Sequence, residues 1–100
     1  GFPQGVADLD ERLQDRETKY ALTVHAETNA ILFARRPLQG CTLYTWPFMS
    51  CSRCATNVIQ SGVSRCVAPS MTVEKAARWA QDCGRARMMF AEAGVELVEL

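Results

Sequence analysis

Residues 24–31 read Val-His-Ala-Glu-Thr-Asn-Ala-Ile, and residues 47–54 read Pro-Phe-Met-Ser-Cys-Ser-Arg-Cys. The first stretch places the imidazole of His25 and the carboxylate of Glu27 two residues apart, at the start of an apolar helical pattern. The second places Cys51 and Cys54 three residues apart, so both sulfurs would lie on one face of a helix. One imidazole nitrogen and two thiolates are ligands that zinc prefers. The rest of the chain is interpreted around these two stretches.

Helical and strand patterns alternate from His25 onward. The predicted helices are 26–36, 51–60 and 72–93, and the predicted strands are 41–46, 63–68 and 95–100. We expect the last helix to divide at Gly84, and we expect a turn or two of helix between Leu9 and Glu17. Strands joined by helices pair in parallel, which predicts an α/β domain with helices on the sheet faces. In such a domain the helix that starts at Cys51 begins at the carboxyl edge of the sheet, where ligands bind.

Length and charge limit the possible functions. The 100 residues form one domain, residues 1–100, and eleven basic residues balance eleven acidic ones. A net charge of zero favours a small substrate and disfavours a nucleic acid partner. No apolar run approaches the ~20 residues of a membrane span, and the first residues of this sequence lack the basic head and the apolar core of a secretion signal, so we expect no membrane partner and a cytoplasmic location. An odd number of cysteines, five, fits reduced thiols better than disulfides.

Two thiolates and one imidazole leave the fourth position of a tetrahedral zinc ion to water, and such sites lower the pKa of that water toward ~7. The start of a helix favours negative charge, so we expect it to lower the pKa values of the Cys51 and Cys54 thiols. Glu27 follows the His25 ligand closely enough to take a proton from the water and pass it on. The two stretches therefore predict a hydrolytic zinc centre.

Other interpretations of the same residues remain open. Cys51 and Cys54 could form a redox pair, although that would leave His25 and Glu27 without a role. A fourth ligand such as Cys41 or Cys66 would make the zinc purely structural. Otherwise Cys41, Cys66 and Cys83 are simplest as small core residues. Trp46 and Phe48, beside the metal loop, are candidates for stacking on a base, and packing is their alternative role.

The sequence resembles the zinc-dependent cytidine and deoxycytidylate deaminases, most closely the deoxycytidylate branch. The resemblance rests on His-Ala-Glu at 25–27 and Cys-x-x-Cys at 51–54, and it extends to the opening Gly-Phe-Pro-Gln-Gly-Val, to 29–31, to 40–44, to 59–63 and to 90–95. It implies that His25, Cys51 and Cys54 bind Zn²⁺, that Glu27 moves protons, and that Asn29 shapes the pocket. It also implies a three-layer fold with a mixed sheet.

The expected activity is hydrolysis of the cytosine nucleotide dCMP to dUMP with release of ammonia. The alternatives are deamination of free cytidine or deoxycytidine, of a tRNA adenosine or of another aminated base, and a catalytically silent domain stabilised by zinc. The substrate would be a small nucleotide or nucleoside. We also expect a homo-oligomer.

The sequence departs from the family pattern at two points. Ser50 stands where the family usually has a proline before the first cysteine, and the loop before it is about one residue longer. The first helix and the first two strands of the family have no counterpart here. We therefore expect the sequence to be a fragment, or an ordered subset, of a longer protein whose sheet depends on further strands or on a partner subunit.

Overall fold

The computed structural model describes all 100 residues and contains six helices and three strands. In chain order they are α1 (Asp10–Gln14), α2 (Arg16–Leu22), α3 (Ala26–Ala34), β1 (Thr42–Tyr44), α4 (Ser52–Gln60), β2 (Arg65–Ala68), α5 (Val73–Arg78), α6 (Ala80–Ala93) and β3 (Glu96–Glu99). From α3 onward, helical segments alternate with strands as the sequence patterns predict, with α5 and α6 together in the place of the last predicted helix. The α/β class is confirmed.

The three strands form one sheet in the order β1-β2-β3, and both pairings are parallel. Cys66 of β2 lies opposite Leu43 of β1 and Leu97 of β3. Parallel pairing follows from the helical connections, as predicted. The resemblance implied a mixed sheet, and these three strands do not form one. The central strand β2 is buried along Cys66, Val67 and Ala68, because a strand with a neighbour on each edge and cover on both faces has little access to water.

One hydrophobic core holds α4, α6 and β2 together. Its ten buried members are Met49, Ala55, Val58, Val63, Cys66, Ala68, Cys83, Ala86, Phe90 and Val95. Ala55 and Ala86 have no exposed surface, and side chains this small allow α4 and α6 to approach each other closely. The expected core positions of Cys66 and Cys83 are confirmed, whereas Cys41 is only half-buried.

The long C-terminal helix is divided at Trp79, not at Gly84. Trp79 has φ −109° and ψ 13°, and its backbone N–H closes α5 by donating to the Lys75 carbonyl. Gly84 lies inside α6, where a side chain at that position would meet nothing within 4 Å. The prediction was wrong because a glycine weakens a helix without ending it, and the corner at Trp79 carries no local breaker residue.

From α3 onward the other boundaries differ from the predictions by one or two residues, whereas the N-terminal helical segment extends to Leu22, five residues beyond the predicted end at Glu17. The segment before His25 forms two short helices, which separate at Asp15, where the backbone is extended. Helix α3 ends at Ala34 because Arg35 adopts a left-handed conformation with φ 52°. Strand β2 begins at Arg65, although Val63 is buried as its apolar character suggests. No helix of the structure combines the length and the apolar character needed to span a bilayer.

We expect Phe90→Ala to lower the free energy of unfolding by about 3–5 kcal/mol, because it removes the largest fully buried side chain and leaves a cavity between α6 and the sheet. Met88→Ala is the matched control, since Met88 lies on the same helix and is half exposed; its effect should stay within about 0.5 kcal/mol. Urea unfolding followed by circular dichroism measures both. Equal losses in the two variants would contradict the assignment of the core.

Candidate metal centre

The loop after β1 leads into α4 and delivers two cysteines to the start of that helix. Cys51 is the N-cap residue, with an extended backbone, and its Sγ accepts a long hydrogen bond of 3.5 Å from the backbone N–H of Cys54. The sequence predicted both cysteines inside the first turn, and the structure moves Cys51 just ahead of it. Cys54 is 3% exposed and Cys51 is half-buried. One thiol therefore faces the interior and the other lies nearer the solvent.

His25 occupies the equivalent position at the start of α3. It is the N-cap residue of that helix, with φ −68° and ψ 150°, and its side chain is exposed. Its Nδ1 lies 3.2 Å from Cys54 Sγ and 3.6 Å from Cys51 Sγ. Thr28 accepts a hydrogen bond of 3.3 Å from the Asn57 amide, which links α3 to α4 behind the cluster. Two helix N-termini thus converge and bring the three predicted ligands together.

These three donor atoms fit a zinc ion. All of them lie within 4.8 Å of one another. Zinc–sulfur bonds of ~2.3 Å and zinc–nitrogen bonds of ~2.0–2.1 Å at tetrahedral angles require a sulfur–nitrogen separation of about 3.6 Å, close to the observed 3.2 and 3.6 Å. Neither Cys41 nor Cys66 contributes a donor to this group, so the chain does not close it with a fourth ligand. A purely structural zinc site is therefore not supported.

The electrostatic surroundings of Cys54 differ from the prediction. Burial, followed by the nearby charge of Glu27, raises the pKa of the Cys54 thiol to about 12. The expected lowering at the helix N-terminus is outweighed because removal of water disfavours the thiolate. A redox pair would give no role to His25, whose Nδ1 lies 3.2 Å from Cys54 Sγ and 3.6 Å from Cys51 Sγ. The redox interpretation of Cys51 and Cys54 is not supported.

A cavity of about 480 Å³ opens beside this cluster. His25, Cys51 and Glu27 line it together with the two predicted stacking residues, Trp46 and Phe48. Glu27 is half-buried, and its carboxylate takes part in no ion pair, since the single ion pair of the structure joins Arg87 to Glu99. Asn29 is half-buried in α3 and is not among the lining residues. Its contribution to the pocket stays a prediction.

The far wall of the cavity comes from residues 75–82, which the sequence patterns did not indicate as part of the site. The corner between α5 and α6 contributes Lys75, Arg78, Trp79 and Asp82. Lys75 Nζ lies 4.5 Å from the centroid of the Phe48 ring, so this wall contacts the metal loop directly. Residues 75, 78 and 82 recur at helical spacing, and this spacing is the feature of the sequence that could have indicated the wall. That signal is weak, because most charged helix faces are simply solvated.

Asp82 connects this wall to the helix that carries the cysteines. Its two carboxylate oxygens accept hydrogen bonds from Ser52, one from the backbone N–H at 2.9 Å and one from the hydroxyl at 2.5 Å. These bonds hold the pKa of the Asp82 carboxyl below its usual value. Asp82 is therefore an ionised carboxylate whose two oxygens both accept hydrogen bonds.

Comparison with known proteins agrees with this geometry. The family described as "Cytidine and deoxycytidylate deaminase zinc-binding region" matches residues 9–70. An "Uncharacterized deaminase in luxG 3'region" of Aliivibrio fischeri is 42% identical over 100 residues, which cover 100% of this chain and 67% of the relative. A "Probable deoxycytidylate deaminase" of Caenorhabditis elegans is 43% identical over 70 residues, which cover 65% of this chain and 34% of the relative. A match over more than half of the sequence, with three candidate metal donors assembled in space, establishes that the chain belongs to the cytidine and deoxycytidylate deaminase family.

Proposed function

We propose that this deaminase hydrolyses deoxycytidylate to deoxyuridylate and ammonia, with zinc held by His25, Cys51 and Cys54. The observation that carries the proposal is one cavity lined by two of the three metal donors, an unpaired carboxylate, aromatic rings and two cations. A zinc ion bound by three protein ligands lowers the pKa of a coordinated water to near 7. The residues of the chain supply the remaining parts of the reaction.

Glu27 is the proposed proton carrier. Its carboxylate shares the cavity with His25 and Cys51, and no cation of the chain pairs with it, so it is free to accept a proton. Water adds to C4 of the cytosine ring, and its two protons pass through Glu27, first to N3 and then to the amino group, which leaves as ammonia. Asp82 does not suit this role because both of its oxygens already accept hydrogen bonds from Ser52.

Lys75 and Arg78 support a nucleotide as substrate rather than a nucleoside. They lie three residues apart on one face of α5, line the cavity, and have no acidic partner. Unpaired cations beside aromatic rings suit a ligand with a planar base and a phosphate, because the rings bury the base while the cations bind the anion. Trp46 and Phe48 are the proposed stacking residues. A nucleoside would leave Lys75 and Arg78 without a ligand group.

We also propose that the protein forms a homo-oligomer and that it is located in the cytoplasm. The outer edge of β1 has no neighbouring strand in the sheet, and Leu32, Phe33 and Tyr44 are largely exposed around it and on α3. Exposed apolar side chains and a free strand edge are common features of subunit interfaces. They support association with a second subunit.

Glu27→Gln should lower kcat for dCMP by about 10²–10⁴-fold, because glutamine cannot carry the proton. Zinc content and thermal stability should stay close to those of the wild type. Glu92→Gln, at an exposed position of α6, is the matched control and should keep full activity. Wild-type turnover in the Glu27 variant would contradict the mechanism and favour a catalytically silent domain; ammonia release is the assay.

Cys54→Ser should abolish stoichiometric zinc binding and deaminase activity together, because the site would retain two strong ligands. Cys41→Ser should leave both unchanged, since Cys41 lies outside the donor cluster. Metal content measured by atomic absorption, alongside ammonia release, checks both variants. Full zinc content in the Cys54 variant would contradict the assigned centre.

Lys75→Ala and Arg78→Ala should each raise KM for dCMP about tenfold, the effect expected from losing one charge-assisted contact to phosphate. KM for deoxycytidine should not change in either variant. Arg85→Ala provides the control, because Arg85 is exposed on α6 outside this cavity. Equal increases in KM for dCMP and for deoxycytidine would contradict a phosphate contact. If the wild type turned over neither compound, another aminated base would be the substrate.

A further inference from the structure

The N-terminus of α4 lacks an ordinary cap. In most helices the N-cap side chain is an oxygen acceptor that satisfies a free backbone N–H of the first turn. Here that position is Cys51, whose sulfur is a weak acceptor 3.5 Å from the Cys54 N–H. The same sulfur lies 3.6 Å from His25 Nδ1 and belongs to the donor cluster. The residue that would normally fix the start of α4 is therefore committed to the metal centre.

Asp82 supplies the missing contact from another helix. It lies 30 residues away in sequence, in the first turn of α6, and binds both the backbone N–H and the hydroxyl of Ser52, the first residue of α4. Hydrogen bonds to an ionised acceptor are stronger than neutral ones, and a carboxylate also complements the positive end of the helix. Ser52 directly follows Cys51 in the chain, so a movement of Ser52 also moves Cys51, a proposed metal ligand.

The same residue also lines the cavity. Asp82 contributes to the wall formed by the α5–α6 corner, together with Arg78 and Trp79. It therefore connects the start of the metal-binding helix to the wall on the other side of the cavity. Helices α4 and α6 could not shift relative to each other without breaking the two hydrogen bonds from Ser52 to the carboxylate oxygens of Asp82.

We propose that Asp82 is a positioning residue for the metal centre, which holds the start of α4 where Cys51 and Cys54 meet His25 and fixes the distance from the metal ligands to the α5–α6 wall. The inference rests on the proposed zinc centre and not on the choice of substrate. Asp82 acts through Ser52 and does not touch the reacting atoms.

The test measures metal affinity without substrate. The zinc-free protein and its variants are titrated with Zn²⁺ against a chromophoric chelator, and the Co²⁺-loaded proteins are compared by visible absorption. Asp82→Ala should weaken Zn²⁺ binding by about 10–100-fold, as the loss of a residue that orients metal ligands typically does, and should change the Co²⁺ spectrum. Ser52→Ala removes the hydroxyl contact but keeps the N–H contact, so its loss should be smaller.

Asp82→Asn keeps an acceptor for the Ser52 N–H but lacks the charge, and should lie between the wild type and Asp82→Ala. Gln81→Ala, at the exposed neighbouring position of α6, should match the wild type. The proposal is overturned if Asp82→Ala binds Zn²⁺ within twofold of the wild type with an unchanged Co²⁺ spectrum, even when it melts at a lower temperature. If Asp82→Ala does not fold, wild-type affinity in both Asp82→Asn and Ser52→Ala overturns it.

Failure of the proposed function gives a different result. If the wild type deaminates neither dCMP nor any other cytosine compound but still binds zinc, the affinities of the Asp82 and Ser52 variants remain interpretable. A loss of zinc affinity in those variants would then support the positioning role although the assigned activity had failed.

Discussion

The site depends on the meeting of two helix N-termini. His25 precedes α3 and Cys51 precedes α4, both with extended backbones, and their side chains project into the space between the helices. A helix N-terminus carries a partial positive charge, so two such ends close together need anionic groups around them. The carboxylates of Glu27, in the first turn of α3, and of Asp82, hydrogen-bonded to the first residue of α4, provide them. The electrostatics of the two helix ends and the positions of these acidic side chains therefore favour the same arrangement.

The core holds the elements on which the site is built. Helix α4 buries Ala55 and Val58 completely while its N-terminus presents the cysteines. Helix α6 buries Ala86 and Phe90 while its first turn presents Asp82 to the cavity. Because interiors are close-packed, neither helix can slide without disturbing the other. The width of the cavity is thus set by packing that lies away from it.

Hydrogen bonding separates the role of Asp82 from the roles of the other charged residues around the cavity. Asp82 is engaged at both oxygens, whereas Glu27, Lys75 and Arg78 have no charged partner in the chain. A carboxylate that is hydrogen-bonded at both oxygens contributes to the geometry of the site, and the other three charged groups are available to a ligand or a proton. The overall balance of eleven basic and eleven acidic residues conceals this local arrangement, since net charge reports only the average field.

The sequence by itself determined the α/β class and the parallel pairing, because the spacing of apolar residues acts within single helices and strands, and helical connections make successive strands parallel. It also indicated His25, Cys51 and Cys54 as one set of ligands, because an imidazole and two thiolates are the donors that zinc prefers. It did not reveal that the last helix turns at Trp79, that Cys51 caps its helix, or that burial of Cys54 outweighs the helix dipole. The tertiary structure alone decided that Asp82 reaches Ser52 and that Lys75 and Arg78 face the metal loop. Those contacts join residues distant in the chain, and they form only when packing of α4 against α6 fixes the distance between the helices.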